Sequence, residues 1–64
     1  MKKRQWLIDL RIKKGIEQQQ IAKEAGITVS HMYYIEQGQR NPRIDVAKKI
    51  ADILNVSWTK FYED

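Results

Sequence analysis

The chain has 64 residues, with 12 Lys and Arg against 8 Asp and Glu, a net charge of +4, a pI near 9.6 and no cysteine. A single domain of this size buries only about 60% of the surface its unfolded chain exposes, which argues against a deep catalytic cleft, and without cysteine there is neither a disulfide framework nor a thiolate metal site. The basic excess suggests a polyanionic partner, and the apolar runs are too short to span a bilayer; Lys2, Lys3 and Arg4 imitate a signal n-region, but Asp9, Arg11, Lys13 and Lys14 interrupt any h-region.

The elements follow in chain order, all of them helical. From Trp6 to Lys14, the spacing puts Leu7, Leu10 and the stem of Lys14 on one face with Trp6 beside them, and Gly15 stops the helix as a left-handed cap. A second helix is expected from about Glu17 to Ala25, with Ile21 and Ala25 as its apolar stripe, Ala22 alongside and Gly26 ending it. Thr28 is the expected N-cap of a third helix lasting until Gly38. After the Asn41-Pro42 turn, a fourth runs from Ile44 to Leu54 and buries Ile44, Ala47, Ile50, Ala51 and Leu54. Asn55 ends it, and Ser57 caps a last short helix in which Trp58 and Phe61 lie one turn apart. The expected architecture is all-α: a compact bundle of five short helices in one domain, residues 1–64. Met1 and the charged end, Glu63 and Asp64, suit a complete chain.

Ala22, Gly26, Met32 and Ile35 suit two helices that cross steeply through a tight turn: a small residue for close approach, a glycine for positive φ, and two apolar anchors. These residues, with LRIKKG at Leu10–Gly15, QQQIAKEAGIT at Gln18–Thr28, YIEQGQRNP at Tyr34–Pro42 and KIADILNVS at Lys49–Ser57, resemble the lambda-repressor-like helix-turn-helix domain of the phage repressor, Cro and Xre type. The resemblance spans nearly the whole chain and places the helix-turn-helix proper at about 17–37.

It implies a DNA-binding regulator, a repressor or Cro-like switch protein without a cofactor, working in the cytoplasm and encoded by a bacterium or phage. The third helix would lie in the major groove of double-stranded DNA. At about 100° per residue, Thr28, His31, Met32 and Ile35 cluster inward, Ser30, Tyr33, Tyr34 and Gln37 fall opposite, and Val29 lies at the border. That outward face carries no formal charge, and two tyrosines on it want a contact for their rings and a partner for their hydroxyls. Val29, Ser30, Tyr33 and Tyr34 are the expected base contacts, the tyrosines on opposite flanks of the groove, and with no Arg to read guanine they favour thymine methyls and an A·T-rich core.

The resemblance supplies further expectations. Gln18, and the region of Gln37, Gln39 and Arg40, match positions that touch the DNA backbone; Thr28 and Arg43 join them, and Lys2, Lys3 and Arg4 add diffuse positive charge. Arg11 and Glu36 match a structural ion pair joining the first and third helices. A homodimer on a two-fold operator is expected to meet around Asn55, Val56, Ser57 and Trp58. Departures from the family pattern are Val29 at a position often held by a long polar residue, Tyr34 where Arg or Gln is common, and Arg43 where a small capping residue is usual. His31 has no second ligand at metal spacing and is expected to be a packed ring at the core border. No constellation for catalysis is present. The alternative reading is a protein-binding helix-turn-helix module, an antitoxin or co-regulator, contacting its partner through Ile8, Ile12, Tyr33 and Tyr34.

Overall fold

A computed structural model describes residues 3–63. Among them the order is α1 (Gln5–Lys13), α2 (Gln18–Ala25), α3 (Val29–Glu36), α4 (Ile44–Leu54) and a C-terminal 3-10 turn (Trp58–Tyr62). The fold is therefore all-α, with the expected fifth helix tightened to a 3-10 turn. Met1, Lys2 and Asp64 lie outside the described residues.

Local signals set the boundaries. Gly26 has φ +75°, and a Cβ built there would meet nothing within 4 Å, so the turn between α2 and α3 needs glycine for its backbone angle and not for space. Thr28 Oγ1 accepts the His31 N–H at 3.0 Å and so caps α3. Asn55, at φ 59°, ends α4 in the left-handed region that Asn tolerates better than other residues with a side chain. Arg43 precedes α4 with no side-chain cap, as the loss of the usual small residue implies.

The core joins Leu7 of α1, Ile21, Ala22 and Ala25 of α2, Met32 and Ile35 of α3, Val46, Ala47, Ile50, Ala51 and Leu54 of α4, and Phe61 of the 3-10 turn. Trp6 and Leu10 pack partly buried against it, whereas Lys14 is exposed just past the end of α1. One expectation fails on α4: Ile44 is 55% exposed and Val46 takes its place inside. The buried stripe centres between Ile50 and Leu54, and Ile44 lies about 90° from that centre, on the first turn of the helix.

Candidate nucleic-acid interface

The outward face of α3 is built by what the helix buries. Met32 and Ile35 are fully inside, and Val29, Tyr33 and Tyr34 are consequently left 47%, 46% and 40% exposed, with Ser30 beside them. Thr28 is exposed at the helix start, and His31 is half-buried and lines an outer groove with Thr28 and Ser30. Tyr33 and Tyr34 do not stand apart as expected: their ring centroids are 5.4 Å apart at 74°, an edge-to-face pair. Adjacent side chains diverge by only about 100°, so two large exposed rings lean together and each shields part of the other from water. They form one aromatic patch, not two flanks.

Behind this face sits a polar knot. Glu36 is buried, and Arg11 Nε lies 2.6 Å from its Oε2, with Arg11 Nη2 3.4 Å from Oε1. Arg11 Nη1 also donates to Ile16 O at 3.1 Å. Gln18 Nε2 donates to Glu36 Oε1 at 2.7 Å. The Gln18 side chain thus faces inward and serves the knot, which alters its expected place as an outward backbone contact. A buried carboxylate needs such partners, and the knot ties α3 to α1 and α2 at once.

Past the end of α3, Gln37 is half-buried while Gln39 and Arg40 are exposed. Tyr34 and Arg40 line a shared groove with Thr28, Ser30 and His31, and a second hollow with Gln39. The structure therefore brings Ser30, Tyr34 and Arg40 to one groove, with Tyr33 against Tyr34. Arg43 is strongly exposed, with its Nε 3.9 Å from an oxygen of Asp45. Lys3 is exposed, and Lys2 lies outside the described residues.

Arg4 departs furthest from expectation. It is not part of a loose basic tail: its guanidinium bonds to Ile35 O, Arg40 O, Asn41 Oδ1 and Phe61 O. Nothing in the local sequence distinguishes it from its lysine neighbours.

The region expected to meet a second copy is partly occupied by local work. Val56 packs against the core, Ser57 Oγ accepts the Thr59 N–H at 3.4 Å, and Lys48 Nζ stands 5.2 Å from the Trp58 ring centroid. Asn55 is exposed and Trp58 half-buried, next to the exposed Tyr62. On the outer side of α1, Ile12 is 63% exposed and Ile8 half-buried.

Residues 7–61 match the family model described as helix-turn-helix. The chain is 43% identical over 61 residues to an uncharacterized HTH-type transcriptional regulator, YqaF, of Bacillus subtilis strain 168, covering 95% of this chain and 80% of the relative. It is 34% identical over 47 residues to an uncharacterized HTH-type transcriptional regulator of Archaeoglobus fulgidus, covering 73% and 67%. A second Bacillus subtilis protein, YazB, with the same description, is 43% identical over 44 residues, covering 69% and 64%.

Proposed function

We propose a function from the premise that this chain belongs to the helix-turn-helix family of the Cro/C1 and Xre type. The chain is a DNA-binding transcriptional regulator of a non-enzymatic family. It acts inside a bacterial cell as a repressor or Cro-like switch protein. Two copies bind a two-fold operator, each laying α3 in the major groove. Half-sites then fall about 34 Å apart, one helical turn. One recognition helix touches too few base pairs for a useful specificity ratio, which is why a dimer is needed.

The observation that carries this reading is the outward face of α3, where Val29, Tyr33 and Tyr34 are each 40% exposed or more and no formal charge appears. A solvated helix face ordinarily carries Lys and Glu; this one offers apolar area with hydroxyl tips, suited to thymine methyls and single hydrogen bonds. Gln37, Gln39, Arg40, Arg43 and the N–H groups at the start of α2 supply the backbone contacts, and Gln18 helps through its position at that helix start.

The exposed Ile12 favours a second reading, a module that docks on another protein. Salt titration tests the proposal against it. Binding through several phosphates weakens steeply as salt rises, whereas apolar docking does not. Duplex binding that ignores salt would sink the DNA reading.

A further inference from the structure

The last carbonyls of an α-helix have no partner within the helix. At the end of α3, Tyr33 O accepts the Gln37 N–H at 2.9 Å and Tyr34 O the Gln39 N–H at 3.0 Å. The next two are met from the far end of the chain. Arg4 Nη1 donates to Ile35 O at 2.7 Å, alongside the Gly38 N–H, and the Arg4 main-chain N–H donates to Glu36 O at 2.8 Å.

The same guanidinium continues outward. Nη1 donates to Arg40 O at 2.9 Å, and Nη2 to Asn41 Oδ1 at 2.5 Å and Phe61 O at 3.4 Å. Its Cζ stands 5.7 Å from the Phe61 ring centroid, and Phe61 meets Trp6 edge to face. One planar fork thus joins the start of α1, the end of α3, the segment 40–41 and the C-terminal turn. A lysine ammonium on its flexible stem cannot match several acceptors held in a fixed plane. A cation also suits the negative end of the α3 dipole.

We propose that Arg4 is a positioning residue for specific DNA recognition. It fixes the backbone that carries Gln39 and Arg40 relative to Tyr33 and Tyr34, and it does so without touching DNA. Its donors are used on oxygen atoms of the protein, and of the residues it bonds Arg40 lines the groove shared with Tyr34, whereas Asn41 and Phe61 line a separate hollow with Arg4 itself. Without the fork, segment 40–41 keeps the Arg40 N–H bond to Tyr34 O at 3.3 Å, and phosphate register and base register no longer move as one body. The inference rests on the proposed DNA-binding function.

The test is Arg4→Lys, which keeps the charge and removes the fork. Three quantities are compared with wild type: affinity for the preferred duplex, affinity for random duplex, and amide hydrogen exchange of Gln39 and Arg40 in the free protein. The expected result is a loss of about tenfold or more on the preferred site, a change of no more than about twofold on random DNA, and faster exchange at both amides. Equal losses on both duplexes would show that Arg4 serves binding as a whole and not the register of specific recognition, and would overturn the proposal. So would wild-type behaviour throughout. If Arg4→Lys does not fold, Asn41→Ala removes a single partner of the fork and is read in the same way. If wild type binds no duplex, the functional reading fails by itself, and unchanged exchange in Arg4→Lys would still refute the clamp.

Discussion

Gln18 and Arg11 meet on the same carboxylate: Gln18 Nε2 lies 2.7 Å from Glu36 Oε1, and Arg11 Nε 2.6 Å from Glu36 Oε2. Glu36 is the last residue of α3, so the helix that faces outward with tyrosines is held from behind by α1 and α2. Removing one partner of a buried pair costs about 3–5 kcal/mol, because the other charge stays behind unpaired. A domain of this size has a total stability of only about 3–10 kcal/mol. Arg11→Ala is therefore expected to remove about 3–5 kcal/mol, roughly a third or more of the total, read by urea titration of the helical circular dichroism signal. A loss below about 1 kcal/mol would mean that the knot contributes little.

The tyrosine pair gives a prediction that two separate flanks would not. Tyr34→Ala is expected to cost about 1–3 kcal/mol on the preferred site and little on random DNA. Because the rings touch, the effects of Tyr33→Ala and Tyr34→Ala should not add: a double-mutant cycle on binding is expected to give a coupling of about 0.5–1.5 kcal/mol. Strict additivity would show that each ring acts alone.

Arg40 should behave differently. Its side chain is exposed beside the tyrosines and matches a backbone-contacting position. Arg40→Ala is expected to weaken binding to preferred and random duplexes alike and to lower the slope of log affinity against log salt by about one. A loss confined to the preferred site would assign Arg40 to base reading.

The turn of the motif offers a test of the fold. At Gly26 there is room for a methyl group, yet φ is +75°. Gly26→Ala is expected to cost about 1–2 kcal/mol of stability, the ordinary penalty for a left-handed residue with a Cβ, without changing the helical content of the folded state. A larger cost, of about 4 kcal/mol, would indicate a steric clash or a rearranged turn.

What the sequence disclosed divides by distance along the chain. The ends of α2 and α4 and the cap of α3 were legible because Gly26, Asn55 and Thr28 act within a few residues of themselves. The apolar face of α3 was legible from periodicity alone. The pairing of Arg11 with Glu36 was reachable only through the family resemblance, since nothing local joins residues 25 apart. Arg4 was hidden altogether: its acceptors lie 31 to 57 residues away, and within Lys2-Lys3-Arg4 it looks like any surface cation. Gln18 turned inward and the tyrosines turned together for reasons that exist only once neighbouring side chains are in place. Ile44 was misplaced because a stripe drawn by periodicity does not reveal where the core stops.

Selection of bound sequences from random duplexes reports motif, symmetry and spacing of the recognised site together. The expected result is an enriched site with two-fold symmetry, half-site centres about 34 Å apart and A·T pairs under the tyrosine patch. Recovery of no enriched motif, or of one dominated by guanines that Val29, Ser30, Tyr33 and Tyr34 cannot read through a bidentate pair, would contradict it.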